Sequence, residues 1–184
     1  MRLAPALPPG ARVLRMALLT ALGLLAIFVE AAPIGVGPQA IPSPDLLFCI
    51  VAAIALRQPA SAPAGLVLAL GLVRDLLTDL PVGLGALALL VASEALRARS
   101  AAMARRSLVS EWALVAAAFL AMLAVQWAVL FVTFVQPPYL FDLGRQWVVT
   151  MLAYAPVVLT IRWIFGIGWR AAAAPGRAGL KGEA

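Results

Sequence analysis

The chain divides into six long apolar runs, and this division limits what it can fold into more than any other feature. The runs cover roughly residues 14 to 32, 44 to 57, 63 to 80, 83 to 98, 108 to 135 and 144 to 168, and the segments between them are rich in proline, glycine or charge. A helix needs about 20 mostly apolar residues to cross a bilayer, so the length allows roughly six spans and leaves no room for a soluble domain.

Composition also predicts an integral membrane protein. Of the 184 residues, 64% are hydrophobic and 12% are charged, with a mean hydropathy of +1.02, whereas soluble domains average about 25% charged residues. The chain has no histidine and one cysteine, which excludes histidine-based catalysis, His/Cys metal sites and an internal disulfide. We interpret Cys49, inside an apolar run, as a small buried hydrophobe. No nucleophile has a base and an orienting group in view, so the sequence predicts neither an enzyme nor a cofactor.

Basic residues alternate between the two sides of the runs. They occur before the first run, between the second and third, between the fourth and fifth, and after the sixth, whereas the other three intervals carry none. By the positive-inside rule, both termini and the segments 58 to 62 and 98 to 107 are cytoplasmic. The net charge of +6 is therefore assigned to topology and not to nucleic acid.

The predicted fold is all-α: a polytopic membrane protein with a six-helix transmembrane bundle and both termini cytoplasmic. Residues 1 to 13 form a cytoplasmic segment, residues 14 to 168 the six-span domain, and residues 169 to 184 a basic, disordered cytoplasmic tail.

Two runs leave alternatives open. The first could be a cleaved signal peptide, because Val29 and Ala31 suit the small-residue cleavage pattern. The second has about a dozen residues between Pro44 and Arg57, which as a helix cover about 18 Å of a hydrocarbon core about 30 Å thick. It must use flanking residues, thin the bilayer, or be shielded by neighbouring helices.

The third run carries three charges, Arg74, Asp75 and Asp79. Each charge near the bilayer centre costs about 2.5 to 3.5 kcal/mol on insertion scales. Residues four apart share a helix face and adjacent ones point about 100° apart, so Asp75 and Asp79 lie on one side and Arg74 on another. Such a helix is not expected to face lipid. The charges either fix how the helices pack or form a site for a partner helix or a transported ion.

A polar layer is the predicted environment of Asp75. With a rise of about 1.5 Å per residue, Asp75 lies about 20 Å into the membrane, in its outer half. Gln126, Gln146 and Thr150 come to comparable levels in the fifth and sixth runs, with Arg145 close above. We expect Asp75 to join at least one of them. The other acidic residues of the spans lie towards the surfaces: Glu94 and Glu111 towards the cytoplasm, Glu30 and Asp45 towards the outside.

Small and turn-forming residues predict how the helices meet. Gly65 and Gly71 each begin a four-residue spacing that lets helix backbones approach closely. Pro81 and Gly83 predict a tight outer turn. Pro156 predicts a bend in the last span.

Residues 44 to 90, PDLLFCIVAAIALRQPASAPAGLVLALGLVRDLLTDLPVGLGALALL, resemble the core of the bacterial rod shape-determining protein MreD family. That family tends to show a proline opening the second span, a basic or proline-containing loop, a glycine in the next helix, and a pattern close to G-x-x-x-D-L-x-x-x-x-P-x-G. The matching residues here are Pro44, Arg57, Pro59, Gly65, Gly71, Asp75, Leu76, Pro81 and Gly83. Pro156 followed by Arg162 is similar to the closing helix of the family, whereas Arg74 departs from its pattern.

The resemblance implies a non-catalytic, multi-pass scaffold subunit of the cell-shape and peptidoglycan elongation complex in the bacterial inner (cytoplasmic) membrane. Its helix faces would bind partner membrane proteins. The implied partners are an MreC-like single-span protein, the wall synthases (a penicillin-binding protein and a membrane glycosyltransferase), the actin-like filament indirectly, and membrane lipids.

The same resemblance supplies an alternative. The MreD fold looks like the six-helix substrate-binding subunits of energy-coupling vitamin transporters, and Ala17 and Ala21 suit the small-residue contact used there. This alternative predicts a solute pocket open to the outside and lined by Trp127, Gln146 and Tyr154. The short outer loops favour the scaffold.

Overall fold

The computed structural model describes residues 9 to 32, 42 to 78, 81 to 103, 107 to 135 and 137 to 164. In these ranges the chain forms six α-helices, one short 3-10 turn at Pro59–Ser61 and no strand, which confirms the all-α prediction. The helices are α1 (Pro9–Ala31), α2 (Leu46–Arg57), α3 (Ala64–Leu77), α4 (Leu84–Met103), α5 (Leu108–Val132) and α6 (Leu140–Ile164). The N-terminal segment before residue 9, the tail from residue 169 and Asp79 lie outside the described residues.

The short helix α2 forms the centre of the molecule. Every residue from Leu47 to Leu56 is buried, because α1, α4 and α6 all pack against it. Its largest buried side chain, Phe48, packs on Phe119 of α5 with ring centroids 4.7 Å apart. A helix as short as α2 was expected to use flanking residues, thin the bilayer or be shielded by neighbouring helices, and in the structure it is shielded.

The other helices surround α2 in the order α1, α3, α4, α5, α6, with each member of this series packed on the next. The closest approach is between α3 and α4. A Cβ atom added at Gly71 would lie 2.7 Å from the Cα of Ala86, so the two backbones touch there and the predicted packing role of Gly71 is confirmed. Gly83, in the connecting turn, has a φ of +97°, a conformation that glycine adopts without strain.

The predicted packing role of Gly65 is wrong. It is exposed, and a Cβ added there would meet nothing within 4 Å. The reason is helical geometry: the step of six residues from Gly65 to Gly71 turns the side-chain direction by about 120°, so the two glycines cannot face the same neighbour. Only the Gly71 side of α3 packs on α4.

The outside of the bundle is more apolar than the surface of a soluble protein, and several charged side chains are buried. The carboxylate residues Asp45 and Asp75 are 2% and 1% exposed, whereas Phe28, Val91 and Leu152 are 74%, 68% and 70% exposed. Exposed apolar surface of this extent marks contact with lipid or with other proteins. In the described part of the chain, Val13–Ala31 and Leu108–Val132 are long and apolar enough to cross a membrane, and Leu46–Arg57 is apolar but shorter.

Candidate functional site

Arg74 lies at the centre of a buried ionic cluster. Its Nε atom is 3.2 Å from Oε2 of Glu30, and its Nη1 atom is 2.9 Å from Oδ2 of Asp45. The three side chains are 12%, 9% and 1% exposed, respectively. Glu30 ends α1, Asp45 precedes α2 and Arg74 is in the last turn of α3. We call these three residues the Arg74 cluster; it joins three helix ends.

The two carboxylates of the Arg74 cluster also cap α2. Oδ1 of Asp45 accepts a hydrogen bond from the amide of Phe48 (2.8 Å), and Oε1 of Glu30 accepts one from the amide of Leu47 (3.0 Å). The first amides of a helix have no partner within it and carry partial positive charge, so carboxylates are stabilised there. The amide of Asp45 donates in turn to Oγ1 of Thr150, 3.0 Å away, which connects the cluster to α6.

A second ionic cluster lies at the other end of α2. Arg57 donates through Nη2 to Oε1 and Oε2 of Glu111 at 3.0 and 3.2 Å, and through Nε to Oε1 at 3.2 Å. The hydroxyl of Tyr154 donates to Oε1 of Glu111 at 3.0 Å. Arg57 is in the last turn of α2, where a cation is favourable to the helix dipole. This Arg57 cluster joins α2, α5 and α6.

Asp75 caps α4 and faces away from the Arg74 cluster. Its Oδ2 atom accepts hydrogen bonds from the amides of Gly83 and Ala86, both at 2.9 Å, and its Oδ1 atom has no hydrogen-bond partner among the described residues. The carboxylate occupies the space where a Cβ at position 85 would lie, so Gly85 is required as well. The predicted division of Arg74 and Asp75 between different helix faces is confirmed.

The hydrogen bond predicted from Asp75 to Gln126, Gln146 or Thr150 is not formed. The Asp75 carboxylate instead accepts hydrogen bonds from the amides of Gly83 and Ala86, both at Oδ2. Thr150 does join a buried polar layer, but through Asp45. The layer is therefore centred on Arg74, for which the sequence analysis predicted no partner.

The remaining predicted site residues lie apart from both clusters. Gln126 is buried in α5 and Gln146 half-buried in α6. Arg145 is 3.9 Å from Oδ1 of Asp142 and 5.9 Å from the centroid of the Phe141 ring, in the first turns of α6. Pro81 is exposed in the α3–α4 turn. Pro156 is exposed within the continuous helix α6, so the bend stays a prediction.

Sequence reasoning missed Glu30, Asp45 and Glu111 as the partners of buried arginines. A usable signal was present: Arg74 lies about two turns from the outer end of the third run, near the level of the last residues of the first run and the first of the second. Acidic residues occur at both places. Comparing depths across all the helices would have made Glu30 and Asp45 candidate partners of Arg74, although the choice between them depends on how the helices pack.

The clusters can hold helices together, and their groups are already used for that purpose. Each guanidinium is neutralised by a carboxylate, and no group of three metal-ligating side chains occurs in the part of the chain that the structure describes. Cys49 is fully buried and its Sγ lies 3.6 Å from the carbonyl oxygen of Thr150. Removing one partner from such a buried pair is strongly destabilising. The two clusters therefore hold the helices in position.

Comparison of the chain with protein-family models, with curated proteins and with solved structures gave no match.

Proposed function

We propose that the chain is a six-span protein of the bacterial inner membrane, with both termini cytoplasmic, and a non-catalytic scaffold subunit of the cell-shape and peptidoglycan elongation complex. The observation that carries the proposal is how polarity is distributed in the bundle: Arg57 and Arg74 pair with carboxylates inside it, and large apolar side chains cover its outside.

The span count is supported by helix number and by the pairing of charges. Contacts bring the end of α1 to the start of α2, the end of α2 to the start of α5 and the end of α3 to the start of α4. Helices that alternate in direction in this way would put all the basic intervals of the sequence on one side of the membrane. Helix α3, with 14 residues, covers only about 21 Å. Its charge Arg74 needs no contact with lipid because Glu30 and Asp45 enclose it.

The scaffold role is supported by how the chain uses its polar groups. A scaffold needs a fixed frame and exposed helix faces on which partner transmembrane segments can pack. The Arg74 and Arg57 clusters fix the two ends of the central helix α2, while large apolar side chains cover the outside. The partners proposed are the MreC-like single-span protein, the wall synthases and, indirectly, the actin-like filament.

The residue pattern behind the MreD resemblance corresponds to one structural unit. Gly71 permits the contact of α3 with α4, Asp75 caps α4, and Gly83 makes the turn between them. These three residues define a helical hairpin, which supports a structural role for this part of the chain.

The transporter-subunit alternative ranks second. It calls for a solute pocket on the outer side with Tyr154, Trp127 and Gln146 in its wall. The Tyr154 hydroxyl is instead bound to Glu111 in the cytoplasmic half, and the Trp127 ring is stacked on Phe131 with centroids 5.4 Å apart.

Affinity purification from the native membrane tests the proposal. The tagged full-length chain is solubilised in mild detergent, and the chains and small molecules that come with it are identified by mass spectrometry. An unrelated six-span protein carrying the same tag serves as the control. We expect enrichment of a single-span wall protein over the control. A tightly held vitamin, without such a partner, would instead select the transporter subunit.

A further inference from the structure

A groove opens between α5 and α6 beside the Arg57 cluster. Its volume is about 390 Å³, which lies within the range of about 300 to 1,000 Å³ typical of small-molecule sites. Apolar side chains form most of its walls, including Trp112 on α5 and Val158 and Leu159 on α6. The indole Nε1 of Trp112 donates to the carbonyl oxygen of Met151 at 3.3 Å, which fixes the orientation of this wall.

The groove combines these apolar walls with positive charge. Arg57 and Glu111 at its floor neutralise each other, and the Tyr154 hydroxyl is bound to the same carboxylate. Arg162 lies at its rim, is exposed, and forms no hydrogen bond or ion pair with any residue that the structure describes. Of the ionised groups that line the groove, Arg162 is therefore the one whose charge no described residue neutralises.

Arg162 and Tyr154 lie on one face of α6, two turns apart, or about 12 Å along the helix axis. The apolar part of the groove extends between them, since Val158 occupies the turn in the middle. A ligand that fits must therefore be long and apolar, with a negatively charged group at one end.

We infer that the α5–α6 groove binds one anionic phospholipid, with its phosphate at Arg162 and an acyl chain along Trp112, Val158 and Leu159. The inference rests on the proposed topology, in which the ends of α5 and α6 that form the groove face the cytoplasmic leaflet. Basic pockets between transmembrane helices on that side bind anionic headgroups. A zwitterionic lipid would fill the same apolar space and also carries a phosphate, but its own cationic group offsets that charge, so its attraction to Arg162 is weaker.

The test is native mass spectrometry of the purified full-length chain, titrated in detergent with phosphatidylglycerol or with phosphatidylethanolamine of the same acyl chains. The Arg162→Gln variant removes the rim charge. Arg99→Gln is the matched control, because it removes an equal charge from an exposed position on α4 outside the groove. Ala155→Phe fills the groove from an exposed position without changing charge.

We expect the unmodified chain to retain one phosphatidylglycerol in preference to phosphatidylethanolamine. Arg162→Gln should weaken phosphatidylglycerol binding about fivefold, since one basic residue near an anionic lipid is worth about 1 kcal/mol. Arg99→Gln should leave it unchanged, and Ala155→Phe should weaken the binding of both lipids.

Equal retention of the two lipids by the unmodified chain would overturn the inference, as would equal losses in Arg162→Gln and Arg99→Gln. If Arg162→Gln does not fold, the result for Ala155→Phe decides: unchanged retention of phosphatidylglycerol rejects the groove as its site. Because these measurements need no partner chain, a failure here is distinguishable from a failure to co-isolate a wall protein.

Discussion

Replacement of Arg74 by leucine is expected to destabilise the bundle strongly. The variant leaves Glu30 and Asp45, whose side chains are 9% and 1% exposed, without their cation. Removal of one member of a buried ion pair costs about 3 to 5 kcal/mol. The amides of Leu47 and Phe48 continue to stabilise the two carboxylates, so we expect the lower end of this range, about 3 kcal/mol.

Two further variants separate the loss of the ion pairs from other effects. Arg99→Leu removes an equal charge from an exposed position and should change stability by no more than about 0.5 kcal/mol. The triple variant Arg74→Leu, Glu30→Gln, Asp45→Asn removes all three charges of the Arg74 cluster. Asparagine caps helices as well as aspartate does, and glutamine keeps an oxygen for the amide of Leu47. Since no unpaired charge remains, the triple variant should recover most of the loss.

Stability is measured by reversible unfolding in mixed micelles of mild detergent and dodecyl sulfate, followed by circular dichroism and tryptophan fluorescence. The reasoning would be refuted if Arg74→Leu were as stable as Arg99→Leu. It would also be refuted if the triple variant were no more stable than Arg74→Leu, because the cost would then not arise from uncompensated carboxylates.

Five other substitutions test the remaining contacts of the bundle. Gly71→Ala should cost about 1 to 3 kcal/mol, because the new methyl group overlaps Ala86, whereas Gly65→Ala meets open space and should be neutral or slightly stabilising in the same unfolding assay. Asp75→Leu should leave membrane insertion intact but destabilise α4 by about 2 to 3 kcal/mol, since two amides lose a charged acceptor. In cells it should weaken partner recovery and give rounder cells, and normal shape with normal recovery would limit Asp75 to a structural role. Glu111→Leu leaves Arg57 unpaired and should lower the free energy of unfolding by about 3 to 5 kcal/mol. Tyr154→Phe removes only one hydrogen bond to Glu111 and should lower it by less. Equal losses in the two variants would contradict the assignment of the ion pair as the stronger contact.

Helix number and the α3–α4 hairpin could be predicted because their causes are local. Long apolar runs between proline, glycine and charge specify helices and their ends to within a few residues. The turn at Gly83 depends on a backbone conformation that glycine favours. The placement of Arg74 and Asp75 on different helix faces follows from helical geometry alone. The same geometry, applied to Gly65, would have corrected the prediction made for that residue.

The partners of the buried charges could not be predicted because they depend on how the helices sit relative to one another. The depth estimates assumed that every helix stands perpendicular to the membrane and that its position does not depend on its neighbours. In the structure, α2 is short and enclosed, so Asp45 at its start meets Thr150, well inside α6. The long side chains of Arg74 and Arg57 reach carboxylates on other helices, and the packing of the helices decides which carboxylates they meet. Asp75 is different: the amides that donate to it lie at the start of the next helix of its own hairpin, and an acidic residue before a turn was a signal for capping.

Thiol labelling from the two sides of the membrane tests the six-span topology most directly. The single native cysteine, Cys49, is fully buried and gives little background. New cysteines are introduced at exposed positions between helices: Ala60 before α3, Val82 before α4, Ser107 before α5 and Tyr139 before α6. An impermeant reagent should label Val82→Cys and Tyr139→Cys in cells whose outer membrane alone is opened, and Ala60→Cys and Ser107→Cys only after the inner membrane is also opened. Labelling of Ala60→Cys and Val82→Cys from the same side would show that α3 does not cross the membrane.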